Sequence, residues 1–104
     1  MARFVALYRV PDDGDPEAFL QAYRDSHVPL VAATPGLTHV EISRVRRTVA
    51  GPPQLLMAVM HFDDARFKEA MASPQWAAAG RNLADIGGLP LVTMFTLADP
   101  EVLP

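Results

Sequence analysis

The chain of 104 residues contains no cysteine. That absence excludes disulfides, thiolate metal sites and a cysteine nucleophile, and it leans the protein toward a reducing compartment. Charge of one sign is equally scarce: nine basic residues stand against twelve acidic ones, for a formal net charge of −3. Domains that track nucleic-acid phosphates carry basic patches and a high pI, so no nucleic-acid partner is expected. The short stretch Arg44, Arg46 and Arg47, with Arg9, reads as a solvated hairpin. Nowhere do about 18 apolar residues run together. The start, MARFVALYRVPDD, is too short for a signal h-region and lacks a small-residue cleavage site. The expectation is a soluble, cytoplasmic protein with no membrane partner. A Gly-rich phosphate loop, a Ser-His-Asp string and a nucleophile elbow are all missing.

What is present is apolar mass, half of the residues. Surface scaling predicts that a chain this long buries roughly 65% of its unfolded surface, enough for one core and one domain over 1–104. Arg3 to Val10 is apolar without alternation and reads as a strand covered on both faces. Pro11-Asp12-Asp13-Gly14 ends it. Asp15-Pro16-Glu17 opens a helix, with Asp15 as cap and Pro16 at the first helical position. Its stripe runs Phe19, Tyr23 and on to Leu30, with a bend expected before Pro29. After Pro35-Gly36, Leu37 to Val45 alternates as a second strand with one polar face. A hairpin around Gly51-Pro52-Pro53 leads to a third strand, Leu55 to Phe62, apolar until His61. Asp63 reads as an N-cap, with Phe62 and Phe67 as a hydrophobic staple for a helix through Met71. Ser73-Pro74 repeats the start signal for a segment reaching Gly87-Gly88, and Leu91 to Leu97 is a final strand.

The order β-α-β-β-α-β predicts an α+β, ferredoxin-like fold with both helical layers on one face of a four-stranded antiparallel sheet. The other face is then bare. Val5, Leu7, Met57 and Val59 or their neighbours would expose more apolar surface there than a monomer usually carries. A second copy related by a two-fold axis is the simplest cover, so a homodimer is expected.

Several local strings carry a resemblance: Tyr8-Arg9 with Pro11, Phe19 and Tyr23, then His27-Val28-Pro29-Leu30 with Pro35-Gly36-Leu37, and later Phe62-Asp63-Asp64 and Ser73-Pro74. Together they span nearly the whole chain, which resembles the EthD family of small dimeric α+β barrel proteins. The resemblance implies two subunits that pack their sheets into a barrel with a central cavity. The family is named for an association with bacterial fuel-ether degradation. Relatives of the barrel include isomerases of muconolactone type and fungal decarboxylases or dehydratases of aromatic polyketides, which work without metal or organic cofactor. Their catalytic roles lean on cavity histidines, and His27 matches the motif histidine. One methylisomerase-type relative uses a cysteine that this chain lacks.

Beside the resemblance, each candidate residue has its own physical reading. His27 falls near the Phe19/Tyr23 stripe, where an imidazole could shuttle protons; the structural alternative is a cap on the helix's last carbonyls or a fix for the bend. His61 shares a strand face with Val59 and Met57, pointing into the barrel if Phe62 staples the helix side; otherwise it is a strand-end histidine half in solvent. Tyr8 could orient a ligand or bond an imidazole, or be core with a satisfied tip. Tyr23, Met57, Val59 and Trp76 are the candidate ligand-binding residues, with helical core as the alternative for Trp76. A hairpin turning near Ala50-Gly51 would set His39 opposite His61 and Glu41 opposite Val59, a group able to bind a divalent metal or to act as an acid/base pair. A one-residue slip removes that cluster, and a solvated edge-strand face is the reading preferred. No cofactor and no metal are therefore assigned.

Three functions follow. The first is a cofactor-free proton-transfer enzyme of isomerase, dehydratase or decarboxylase type, acting on a small apolar or aromatic carbonyl compound, with His27 as acid or base and Tyr8 polarising the carbonyl. The second is a non-catalytic protein that binds a hydrophobic ligand or serves a degradation pathway as an accessory. The third is a cofactor-free monooxygenase.

Overall fold

Residues 1–104 are described by a computed structural model. Strand β1 spans Ala2–Arg9, and a turn with Gly14 at positive φ leads into helix α1, Pro16–Ala22. Asp15 caps that helix by accepting from the Glu17 N–H at 3.0 Å, and Pro16 occupies the first turn, where a missing N–H costs nothing. A π-helical turn, Tyr23–His27, follows before helix α2, Val28–Ala32. The bend expected before Pro29 takes this form for a physical reason. Proline has no N–H and its ring crowds the carbonyl four residues back, so the ladder shifts: the Val28 N–H reaches Tyr23 O, five residues earlier.

Strand β2 is Leu37–Arg44 and β3 is Gln54–Phe62. Gly36 precedes β2 with φ +82°, and a Cβ there would lie 2.8 Å from Cβ of Arg66. Only glycine fits both the backbone and the space. Asp63 accepts from the Ala65 N–H at 3.0 Å to start a 3₁₀ turn, Asp64–Arg66, which runs into helix α3, Phe67–Met71. The staple forms, with the Phe62 and Phe67 rings edge-on at 5.3 Å. Ser73 caps helix α4, Pro74–Asp85, by accepting from the Trp76 N–H at 3.1 Å. A second 3₁₀ turn, Leu89–Leu91, takes the residue where the last strand was expected to begin, so β4 is Val92–Leu97.

The sheet is antiparallel throughout, in the order β2-β3-β1-β4. The fold is the ferredoxin-like α+β arrangement expected. Because strand side chains alternate, register assigns every residue to a face. Phe4, Ala6 and Tyr8 of β1 pair with Met60, Ala58 and Leu56 of β3 on the helix side. There Tyr8, Leu56 and Phe62 are fully buried and join Phe19, Leu20, Tyr23, Val31, Ala79 and Leu83 in one core cluster. The opposite face carries Arg3, Val5 and Leu7 of β1, His61, Val59 and Met57 of β3, and Leu97, Phe95 and Thr93 of β4. No helix covers it, and Met57, Phe95 and Leu97 are exposed. No helix is long and apolar enough to cross a membrane.

Candidate active site

A cavity of about 180 Å³ lies between the helices and the sheet. Its floor is Phe4, Ala6 and Tyr8 of β1, Met60 of β3 and Met94 of β4; its walls are Tyr23 and His27 of the π turn, Val31 of α2, and Trp76, Ala79, Gly80 and Leu83 of α4. Leu89 and Met94 stand at its rim, about half exposed. Aromatic contacts hold the lining rigid. Tyr8 meets Tyr23 edge-on at 5.2 Å, Tyr23 lies over the His27 ring at 5.1 Å, and Trp76 meets Phe4 at 5.0 Å.

His27 is 5% exposed, and its protonation follows from its neighbours. The Ser26 hydroxyl has one hydrogen and donates it to Ala22 O at 2.8 Å. It therefore accepts from the Asn82 amide, whose Nδ2 is 3.3 Å away. That orientation turns Asn82 Oδ1 toward His27 Nδ1 at 3.2 Å, so Nδ1 carries the proton and donates it. Nε2 is left as the basic nitrogen of a ring that lines the cavity. Burial lowers the His27 pKa from its ordinary 6.5, and the Asn82 bond offsets part of that shift. The ring is a neutral base at neutral pH.

The two tyrosines do the opposite. Burial pushes the Tyr8 pKa far up, and Tyr23 beside it acts in the same direction; burial also raises Tyr23, and its interaction with the Tyr8 hydroxyl offsets part of that rise. Both keep their protons and remain hydrogen-bond donors. One neutral base and two phenolic donors therefore share an apolar cavity.

The structure divides the set of residues singled out from the sequence. His27, Tyr8, Tyr23 and Trp76 line the helix-side cavity. His61, Met57 and Val59 do not, because odd-numbered residues of β3 point to the other face. His61 lies on the face away from the helices, as expected where Phe62 staples the helix side, so the candidate residues fall at two locations separated by the thickness of the sheet. Asn82 and Ser26 went unread. A polar Asn between Arg81 and Leu83, in a helix that also carries Gln75 and Asp85, is a weak signal, since asparagine also occurs on solvated helix faces.

On the bare face, the expected register holds: His39 pairs with His61, and Glu41 with Val59. The two imidazoles stack at 4.1 Å with 10° between planes. Glu41 Oε1 lies 2.5 Å from His61 Nε2 and 3.8 Å from His39 Nε2. These three residues do converge.

No established family profile matches the chain. A curated relative, an uncharacterised 11.0 kDa protein from the thcB-thcC intergenic region of Rhodococcus erythropolis, is 32% identical over 108 residues covering 100% of both chains. Among solved structures, an EthD (ethyl tert-butyl ether D) family protein from Bacillus halodurans superposes with a TM-score of 0.83 at 26% identity, covering 96% of this chain and 99% of that one. The fold is shared with SnoaB, a cofactor-independent oxygenase from Streptomyces nogalater, at 21% identity and TM-score 0.64, over 99% and 96% of the two chains. It is shared also with a dimeric ferredoxin-like protein of unknown function from Thermobifida fusca, at 22% identity and TM-score 0.64, over 93% and 89%. The superposition over nearly the whole of both chains shows the family resemblance: the chain is like the EthD family protein in fold and in length.

Proposed function

We propose that the protein is a proton-transfer enzyme of isomerase, dehydratase or decarboxylase type, acting on a small apolar or aromatic carbonyl compound. The observation that carries this reading is His27, a neutral imidazole that lines an apolar cavity, its Nδ1 proton committed to Asn82 and its Nε2 left as the basic nitrogen. Nε2 takes a proton from the carbon next to the carbonyl, while the Tyr8 hydroxyl donates to the carbonyl oxygen as negative charge develops there. The proton then returns from His27 to another carbon or to a leaving hydroxyl. Tyr23 and Trp76 hold the ring or chain of the substrate by their faces and edges.

Size narrows the substrate. A dry cavity of roughly 150 Å³ suffices for benzene, while drug-sized ligands need upward of about 300 Å³. At about 180 Å³ the cavity suits a single ring or a comparable branched chain, and a fused polycyclic substrate requires it to widen. Incubation of the protein in D2O with a panel of monocyclic ketones and lactones tests the reading without knowledge of the product. Deuterium should enter the carbon next to the carbonyl with the native protein and not with His27→Ala; equal exchange by both removes His27 from the chemistry.

The lining is otherwise almost wholly apolar, which supports carriage of a hydrophobic ligand as the second reading. Tight binding of a monocyclic compound with no exchange at any carbon favours it. The SnoaB likeness keeps a monooxygenase as the third, distinguished by oxygen uptake.

We infer further that a second copy covers the bare face. Exposed Met57, Phe95 and Leu97 surround Val5 and Val59 there, and a similar fold from Thermobifida fusca is described as dimeric.

A further inference from the structure

We propose that His39, Glu41 and His61 form a binding site for a divalent cation of the zinc class. Two imidazoles and one carboxylate are the donor set that such ions take, with one or more positions left open. One donor atom from each residue lies within 4.8 Å of the others. In a tetrahedral complex with bonds of about 2.0–2.1 Å the donors stand roughly 3.3 Å apart, so the Glu41–His61 pair, at 2.5 Å, opens and the Glu41–His39 pair, at 3.8 Å, closes to hold an ion.

The hydrogen bonds select the donor atom of His39, while His61 Nε2 donates its hydrogen to Glu41 Oε1 at 2.5 Å and gives up that proton when an ion binds. The Thr38 hydroxyl donates its hydrogen to His61 O at 3.0 Å, so at 3.2 Å from His39 Nδ1 it accepts. The His39 proton is therefore on Nδ1, and the Nε2 lone pair lies on the Glu41 side. A second partner that fixes the tautomer of a histidine is the usual support of a metal ligand. Glu41 Oε1 sits within reach of both Nε2 atoms, and its recorded ionic contacts are with the two histidines alone. Arg3, the β1 neighbour of His61, has its guanidinium drawn to Ala98 O at 2.9 Å, so its charge is spent elsewhere.

Parallel rings project their lone pairs side by side rather than to one point, so one ring must turn on loading. His39 and Glu41 are on the edge strand β2, 53% and 63% exposed, whereas His61 is 17% exposed. His61 is the fixed ligand and His39 closes onto the ion.

Titration of zinc chloride into the full chain, freed of metal by dialysis against a chelator, tests this by calorimetry. One ion per chain should bind to the native protein and to His27→Ala, the third histidine serving as control. His39→Ala, Glu41→Gln and His61→Ala should each weaken binding at least about 10- to 100-fold, the loss seen when even an outer partner of a metal ligand is removed. Cobalt should give a visible absorption band that the same three substitutions abolish. Failure of the native protein to take up zinc, or affinity in His39→Ala and Glu41→Gln within twofold of native, overturns the proposal. Those two positions are on the edge strand and exposed in the single chain, so the test stands even where His61→Ala does not fold, and a sedimentation run on each variant separates loss of zinc from loss of the second copy on that face.

Discussion

His27 and His61 lie on opposite faces of one sheet, and the two surroundings make different chemistry from the same side chain. On the helix side a single imidazole is enclosed by apolar and aromatic residues, its tautomer set by Asn82, its charged form disfavoured by burial. On the bare side two imidazoles stack beside a carboxylate, His61 largely buried and His39 and Glu41 half or more exposed in the single chain, on the face that a second copy covers. A lone histidine kept neutral in an apolar cavity is a base waiting for a carbon acid. A histidine pair with a carboxylate at the edge of the sheet is a set of ligands waiting for a cation. The sheet keeps the two apart, so substitutions on one face should leave the other's behaviour unchanged.

That separation is open to direct attack. Loss of His27 should have the largest effect: His27→Ala should lower kcat/KM by about 10²- to 10⁴-fold in the deuterium-exchange reaction, the span general bases contribute, while His61→Ala leaves it within twofold. Comparable losses in both would mean that one site spans the sheet. Tyr8→Phe comes next, with about 10²- to 10³-fold lost in kcat and little in KM, as for removal of a donor to a developing oxyanion. A rise in KM alone would reduce Tyr8 to a wall of the cavity.

Assembly sharpens the contrast from the bare side. Val59→Asp sets an unpaired charge at the middle of the apolar face, at a cost of about 3–5 kcal/mol when buried, so the dimer dissociation constant should rise by at least about 100-fold in sedimentation runs. A native chain that stays monomeric at micromolar concentration breaks the dimer inference outright. The smallest effect is on pH. Because burial lowers the His27 pKa below 6.5, the unfolded chain binds more protons than the folded one just below that value. The neutral ring's contribution to stability is complete above about pH 6.5 and is lost as pH falls toward the folded value. His27→Gln should flatten that acid slope in thermal melts, and the exchange reaction of the native protein should fade over the same range. A slope identical in both proteins would place the acid sensitivity elsewhere.

Much of this was legible residue by residue. Capping by Asp15, Asp63 and Ser73, the Phe62–Phe67 staple and the strand alternation are local effects, and each operates as the residues predict. The meeting of His39 with His61 followed from a hairpin register, a relation along one short stretch of chain. The face of His61 followed in the same way from the Phe62 staple, but nothing local says on which side of the sheet a cavity opens. Asn82 was missed because its partner is 55 residues away, and a polar residue in a helix is usually solvated. The π turn was half visible: Pro29 announced a disturbance, but the shift of the ladder depends on how the chain is held on both sides.

Alone, then, the amino-acid sequence determined the order of elements, their caps and turns, the absence of cysteine chemistry and the face on which each strand residue lies, because these depend on neighbours within a turn or a hairpin. Tertiary structure decided which faces enclose a cavity, which nitrogen of His27 carries its proton and how deeply each histidine is desolvated. Those properties arise from side chains brought together across tens of residues, and it is desolvation and hydrogen-bond geometry that turn an imidazole into a base on one side and a ligand on the other.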